Sequence, residues 1–341
     1  MVDRPQFIEL PSPNGLDIVS DLKLYQENLI VSSWDNRILI YDCCNLKTLT
    51  SEIRTPITPL SLYTNNRNTY VGLLDGSIRA IDLENAKLSP ENISDIDLDY
   101  KNGINNICGI DDQPSCIIAS SISGKLQIVD SRARKSILIN LGRNKKIFTM
   151  DSNKNYLTVG LSGNFIELYD IRNISLPFET RELGLKYQIV QLKCYPNQQG
   201  FALSTIDGRV SMEYFDSSPE VQMAKRFTFK CHRFQDKSSM ADTVYPVNSI
   251  SFNKQYGTLF TAGSDGTICL WDTEMRKRMK MLPKFDMAVV KIDTTDNLLA
   301  VATSDDSFTR LSKIEYQKPS KSSKIYIRQL HESDYVPKRL R

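Results

Sequence analysis

Histidine is nearly missing from this 341-residue chain: His232 and His331 are the only two. That leaves little material for a Ser/His/Asp triad or a histidine-based metal centre. The seven cysteines stand at 43, 44, 108, 116, 194, 231 and 269, contain no CxxC, and neither histidine is spaced from them as a zinc ligand. Such scatter fits reduced thiols better than a disulfide framework. No apolar run approaches the roughly 18 residues of a membrane-spanning helix, and the opening MVDRPQFIELPSPNG has no leader-like apolar stretch. Charge of one sign is also missing in excess, with 43 Lys and Arg against 40 Asp and Glu. A balance this close predicts no general affinity for nucleic acid or anionic membrane. GxGxxG, Walker, HExxH and G-x-S-x-G patterns are all absent. The expectation is a non-enzymatic protein without cofactor or metal.

What the chain does contain is a repeat. A β-favouring run, a polar tight turn and a second alternating run recur as LIVSSWDNRILIYD (29–42), TYVGLLDGSIRAID (69–82) and CIIASSISGKLQIVD (116–130). They return as YLTVGLSGNFIELYD (156–170), GFALSTIDGRVSMEYF (200–215), TLFTAGSDGTICLWD (258–272) and, more weakly, LLAVATSDDSFTRL (298–311). The second turn residues fall at 36, 76, 124, 164, 208, 266 and 306, a spacing of 40 to 58. Gly or Asn, present there in six copies, tolerates positive φ, and an Asp such as Asp75, Asp207 or Asp265 before it closes the turn, with Ser123 and Gly163 as departures. Each copy is therefore a hairpin. Flanking short runs, such as IVSDLKLY before the first and RKSILINL after the third, add two strands to each. Four antiparallel strands seven times over predict an all-β, seven-bladed propeller.

A ring needs a seam. FIEL (7–10) is the preferred outer strand of the last blade, with KIYIRQL (324–330) as the competitor. The expected division is a propeller over 5–314 and a basic C-terminal tail or packed extension over 315–341. Between the fifth and sixth hairpins the interval is longest. It holds an outer strand in KRFTFKCHR (225–233), with Lys230 turned away from Phe227, Phe229 and Cys231, and then FQDKSSMADTV, read as a solvated loop.

The hairpin turns and the connections into the next blade should share one face, a rigid platform for peptides. Trp34 is the exposed aromatic candidate for a partner segment, whereas Trp271, beside the strand-ending Asp272, reads as blade packing. Arg209 and Lys230 belong to the same blade and form a candidate cradle for a dianionic phosphate; the bland alternative is two solvated cations near Glu213 or Asp216. Lys225, Arg226 and Arg233 enlarge the positive field. Lys145, Lys146 and Phe148, with Lys186 and Tyr187, lie where two connections emerge and are candidate partner-peptide contacts. Asp42, Asp82, Asp130, Asp170 and Asp272 end equivalent strands and read as local caps. No aromatic-basic pattern singles out nucleic acid.

SSWDN near the start, GLKYQI (184–189), IDGRVSMEYF (206–215), KRFTFKCHR (225–233), YPVNSISF (245–252) and TAGSDGTICLWD (261–272) together resemble the WD-repeat member of the Bub family of kinetochore-associated mitotic checkpoint proteins. The resemblance covers about residues 5–314. It implies a ring, monomeric within a hetero-complex, that binds a short segment of a checkpoint kinase or kinase-like partner and docks it on phosphorylated Met-Glu-Leu-Thr-type repeats of a kinetochore scaffold. It implies a nuclear protein found at kinetochores in mitosis, with Arg209 and Lys230 as phosphothreonine ligands and Trp34 at the partner segment. A related messenger-RNA export propeller is the alternative, and a general peptide-binding propeller scaffold a second. The Gly-His dipeptide of the generic WD repeat is absent, so no full histidine-linked polar network is expected.

Overall fold

The computed structural model describes residues 6–43, 47–65, 68–111, 113–133, 135–140, 145–235, 242–307 and 321–340. Seven four-stranded antiparallel sheets form the ring. Blade 1 runs Val19–Tyr25, Asn28–Ser33, Arg37–Asp42 and Thr48–Arg54, and blade 2 runs Pro59–Thr64, Thr69–Leu73, Ile78–Asp82 and Lys87–Leu88. Blade 3 comprises Ile104–Ile110, Gln113–Ser121, Lys125–Asp130 and Lys135–Asn140; blade 4 comprises Ile147–Ser152, Tyr156–Leu161, Phe165–Asp170 and Glu179–Glu182. Blade 5 is Ile189–Cys194, Gly200–Thr205, Arg209–Tyr214 and Phe227–Lys230, and blade 6 is Val247–Phe252, Leu259–Gly263, Ile268–Asp272 and Lys277–Met281.

Blade 7 joins both ends of the chain. Ala288–Thr294 and Leu298–Ser304 are its inner strands, Lys324–Gln329 its third, and Ile8–Leu10 its outer strand. Ile8 stands opposite Ile327 and Leu10 opposite Ile325. The N-terminal strand thus takes the expected outer place, but KIYIRQ is its neighbour in the ring rather than its competitor. The boundary at 314 is corrected accordingly, because Leu299, Val301 and Thr303 pair with Arg328, Tyr326 and Lys324. The part of the seventh repeat at 308–311 lies outside the described residues.

The core is seven cores, one in each seam between neighbouring blades. Ile30, Ile38 and Ile40 of blade 1 meet Leu62, Val71 and Leu73 of blade 2. Tyr195, Val210 and Met212 of blade 5 meet Val247, Ile250 and Phe252 of blade 6. At the closing seam, Leu10, Ala300, Ile325 and Ile327 pack with Val19, Leu22 and Leu39. Each innermost strand carries one bulge at its start, after Val19, Pro59, Ile104, Ile147, Ile189, Val247 and Val289. A bulge bends and twists the strand locally. The free backbone donors of these strands are satisfied by the preceding blade: Leu62 N–H by Asp21 at 2.9 Å, Leu192 by Thr149 at 3.0 Å, Ile250 by Gln191 at 2.6 Å, Ile292 by Ser249 at 3.1 Å and Leu24 by Asp293 at 2.8 Å. Asp151 accepts from Lys193 at 3.4 Å, and its charge raises the Lys193 pKa against the cost of burial.

Four of the five expected caps are present among the described residues, one of them Asp170 with the Arg172 N–H. Asp82 accepts the N–H groups of Glu84 and Asn85, Asp130 those of Arg132 and Ala133, and Asp272 those of Glu274 and Met275.

Two charged networks were not read from the sequence, and of the two alternatives for the C-terminal segment the packed one holds. The C-terminal segment is a packed element with a buried ion cluster: Asp334, on the short helix Glu332–Tyr335, is fully buried against Lys280 of blade 6 and, at 3.4 Å, against Arg328 of blade 7. Burial works to raise the Asp334 pKa, but Lys280, the His331 N–H and Arg328 together hold it below the usual value. Blade 6 also contains the histidine-linked network that the missing Gly-His dipeptide had argued against. Buried His232 joins Asp265 Oδ1 through Nδ1 and Thr261 Oγ1 through Nε2, each at 2.9 Å. Trp271 Nε1–H donates to the same Thr261 hydroxyl at 3.0 Å, and Thr267 donates to Asp265 at 2.8 Å. His232 is preceded by cysteine and sits at φ 49°. That left-handed residue ends the strand alternation, so the ring turns inward instead of following Lys230 outward.

Asp334→Ala leaves Arg328 buried without its carboxylate and should cost about 3–5 kcal/mol, measured by urea unfolding; an unchanged midpoint would remove the network from the stability of the ring. Because the folded Asp334 pKa is lowered, its contribution is complete above the unfolded value of about 3.9 and is lost as pH falls through the folded value. His232→Ala strands Thr261 and Asp265 and should lower stability by about 2–4 kcal/mol. Thermal unfolding tests it, and a variant as stable as the parent would assign blade 6 to apolar packing alone.

Candidate functional site

One hydrogen bond repeats around the ring and defines one of its faces. The turn between the second and third strands donates a backbone N–H to the carbonyl of the connection leading into the same blade: Trp34 to Ile18, Leu74 to Thr58 and Ile122 to Gly103, each at 2.9–3.0 Å. The pattern continues with Ser162 to Lys146, Ile206 to Gln188 and Ser264 to Pro246, at 2.9–3.1 Å. Turns and connections therefore form one stitched surface, as the repeat predicts. Trp34 stands on it 39% exposed, its carbonyl accepting from Thr58 Oγ1 at 3.3 Å. Lys146, Lys186 and Tyr187 are exposed on the same surface, and half-buried Phe148 is the bulge residue of blade 4. Lys145 is different. Its ammonium lies 4.5 Å from the Phe165 ring centre and 3.6 Å from Glu167, which fastens it to blade 4.

Blade 5 brings Arg209 and Lys230 together. Arg209 opens the third strand immediately after Gly208, whose φ of +66° makes the tight turn. Lys230 closes the outer strand, and the two are direct cross-strand partners. Directly opposed side chains emerge on one face with Cβ atoms about 5 Å apart. Both cations therefore occupy one corner where the blade meets the stitched face.

Their partners decide what that corner can do. Asp207 Oδ2 accepts from Arg209 Nε at 2.6 Å, while Asp207 Oδ1 is held by the Thr205 hydroxyl at 2.5 Å. Only Nε of Arg209 is engaged among the described residues; the side chain is 37% exposed, with its terminal nitrogens outermost in the chain of bonds. Lys230 is exposed and no carboxylate pairs with it among the described residues. The expected neighbours Glu213 and Asp216 serve elsewhere. Glu213 is buried, taking the Ser211 hydroxyl at 2.7 Å and Arg226 at 2.9 Å. Asp216 accepts the Ser218 N–H at 2.9 Å and caps the connection to the helix Pro219–Lys225. Lys225, 5.7 Å from the Tyr214 ring centre, and Arg226 belong to that opposite end of the blade and do not enlarge the corner. Arg233 does border it, donating to the Asp207 carbonyl at 2.9 Å, but its charge is turned to Asp242 at 3.6 Å.

The long insertion supports this corner. Arg233–Gln235 pairs with Asp242–Val244 in a small hairpin, so part of the segment read as a loop is ordered; residues 236–241 lie outside the described ones. Cys231 N–H closes onto the Gly208 carbonyl at 2.9 Å, and His232 anchors the next residue in blade 6. Lys230 is thus fixed from both sides. His232 is the supporting residue that alternation missed; its signal was the long interval, which placed a polar crossing where other copies have short connections.

Blade 1 supplies an internal comparison. Arg37 follows Asp35-Asn36 as Arg209 follows Asp207-Gly208, Asn36 has φ 64°, and Arg37 is opposite Arg54. Yet Arg37 is only 10% exposed, with Nε on Asp35 at 2.7 Å and Nη2 on the Gly15 carbonyl at 3.3 Å, and Arg54 is held by Glu52 at 2.8 Å. Two cations there meet two carboxylates. In blade 5, among the described residues, two cations meet one.

No group of three or more metal-ligating side chains occurs among the described residues. The buried thiols of Cys108, Cys194 and Cys231 are pushed up by desolvation, so they are poor nucleophiles.

The WD domain, G-beta repeat family matches residues 227–272, the segment that carries Lys230 and the complete His232 network. A solved β-propeller domain of Myceliophthora Cps50 (Swd1) matches with a TM-score of 0.70 over 96% of this chain and all of that chain, at 11% identity, which shows the fold alone. The mRNA export factor GLE2 of Chaetomium thermophilum is 24% identical over 89% of this chain and 85% of its own length. The spindle assembly checkpoint protein bub3 of Schizosaccharomyces pombe is 33% identical over 86% of this chain and 89% of its own. With that identity over that length, on a seven-bladed ring stitched along one face, the chain belongs to the Bub3 family of non-catalytic WD-repeat β-propellers.

Proposed function

We propose that this chain is a mitotic checkpoint adaptor with two binding tasks. Its stitched face carries a short segment of a checkpoint kinase or kinase-like partner, with Trp34, Lys146, Phe148, Lys186 and Tyr187 as contacts. Lys145 is the weakest member of that set, since Phe165 and Glu167 already hold it. The Arg209–Lys230 corner docks the complex on phosphorylated Met-Glu-Leu-Thr-type repeats of a kinetochore scaffold, which brings a nuclear protein to kinetochores in mitosis.

The single observation that carries this reading is the cross-strand register of Arg209 and Lys230, with Asp207 the one carboxylate paired to them among the described residues. A phosphothreonine brings close to two negative charges and three acceptor oxygens, which such a pair can meet with charge-assisted hydrogen bonds. A hydroxyl offers neither charge nor the extra acceptors. Phosphorylation of the scaffold therefore creates the docking group and dephosphorylation removes it. The names of the relatives, a spindle checkpoint protein above all, support mitosis as the setting.

Arg209→Glu should weaken a phosphothreonine repeat peptide by at least about tenfold, the loss of more than one charge-assisted bond, with the circular dichroism spectrum unchanged. Equal affinity of the native chain for phosphorylated and unmodified repeats would overturn the switch. Trp34→Ala should weaken the kinase-derived segment more than the phosphopeptide, by about 2 kcal/mol or more for an aromatic anchor; the reverse ranking would merge the two surfaces. Imaging a fluorescent fusion tests the setting: kinetochore enrichment in mitosis supports the checkpoint role, and nuclear-pore enrichment would move the chain to the export branch.

A further inference from the structure

We propose that Asp207 is a positioning and specificity-determining residue of the phosphate corner: it aims Arg209 and sets the charge that an incoming group must bring. The inference rests on the reading of Arg209 and Lys230 as phosphate ligands. It begins from the fact that Asp207 puts a negative charge where an anion is to bind.

Coulomb's law alone makes Asp207 an obstacle, since a carboxylate repels a phosphate. Its bonds point the other way. Asp207 is mostly buried, accepts the Thr205 hydroxyl on one oxygen and Arg209 Nε on the other, and has its carbonyl held by Arg233. The Thr205 hydroxyl also reaches the Arg209 carbonyl at 3.3 Å, which ties both ends of the turn to one side chain. A guanidinium fixed through Nε has its planar fork directed away from the carboxylate, and a fork already in place loses little freedom on binding. Asp207 thus removes the ordering cost of the arginine.

It also sets a threshold. Arg209 and Lys230 sum to two positive charges, and Asp207 reduces the corner to one. A glutamate in place of phosphothreonine brings a single charge and a shorter planar head, which must compete with Asp207 for the guanidinium. A phosphate brings close to two charges and a third oxygen for Lys230. Blade 1 shows the same construction past that threshold: Asp35 and Glu52 neutralise Arg37 and Arg54, and Arg37 is withdrawn from solvent. The number of paired carboxylates in this repeated motif separates a cation pair with charge to spare from a neutralised one, even though Arg54 itself stays 67% exposed in blade 1.

The test measures binding of a phosphothreonine peptide and its glutamate-substituted counterpart to the full chain, at fixed ionic strength, for the parent, Asp207→Ala and Asp207→Asn. Asp207→Ala adds one net positive charge yet should bind phosphopeptide about tenfold more weakly, because Arg209 loses its orienting acceptor. Asp207→Asn keeps an oxygen for Arg209 Nε and can donate to Thr205, so phosphopeptide affinity should be kept or raised. Its glutamate peptide should gain more, shrinking the parent's preference by about tenfold or more. Phosphopeptide binding by Asp207→Ala at or above the parent level would overturn the positioning role. If that variant melts at low temperature, the asparagine variant decides, and an unchanged phosphate-to-glutamate preference overturns the threshold. Failure of the underlying reading has a different signature: a parent chain indifferent to phosphorylation and to Arg209→Glu.

Discussion

Closure governs this molecule. A blade of the ring is apolar on both faces and cannot bury either alone, so every blade depends on two neighbours and the last depends on the first. The seven seam cores express that dependence in side chains, and the donors of the innermost strands express it in the backbone. At the closing seam the same devices recur with residues nearly 300 positions apart: Val19 N–H is taken by the Ser304 hydroxyl at 3.2 Å and Ser323 N–H by the Leu16 carbonyl at 2.9 Å. Interlocking Ile8–Leu10 with Lys324–Gln329 means that the ring opens only by separating two strands, not by letting one seam part.

That constraint explains why the candidate site is firm without a deep cavity. Loops are usually more mobile than the elements they connect, but in six of the seven blades the turn is bonded to the connection beside it, and that connection begins a strand buried in a seam. The Arg209–Lys230 corner is additionally drawn across the seam between blades 5 and 6. Lys230 ends a strand of blade 5, and two residues later His232 is inside the polar network of blade 6. Burial works to raise the Asp265 pKa, yet His232 and Thr267 hold it low, so the carboxylate stays charged and hydrogen-bonded. A site built on a seam inherits the rigidity of both blades.

Much of this was legible in the sequence because turn chemistry is local. Turn pairs such as Asp75-Gly76, Ser123-Gly124 and Gly163-Asn164 need only their own backbone to act, and their spacing revealed six hairpins and the first strand pair of the seventh blade. The Arg209–Lys230 pairing was also within reach, since strand length and hairpin register put residue 209 near the end of its neighbour. Three features were not legible, each for a physical reason. The third strand of blade 7 is separated from the second by about twenty residues, while SDDSFTRL continues the local pattern and so resembles a finished hairpin. His232 follows an alternation that its positive φ breaks, and dihedral angles of non-glycine residues leave no mark in composition. Asp334 and Arg328 look like tail charges because burial of an ion pair depends on partners far away in sequence.

Charge in this ring is informative only when its partners are counted. Lys193 and Lys291 lie among the inner strands; the first is held charged by Asp151, and burial lowers the pKa of the second. Arg181 is spent on Glu179 and the Tyr214 carbonyl, and Arg226 on a buried glutamate. Most cations near blade 5 are therefore structural, and the basic look of KRFTFKCHR overstates what the surface offers. At the turn end of blade 5, subtracting each pair among the described residues leaves Lys230 and the outer nitrogens of Arg209. The proposed recognition element is such a remainder, so one carboxylate added or removed around residue 207 changes the charge it presents.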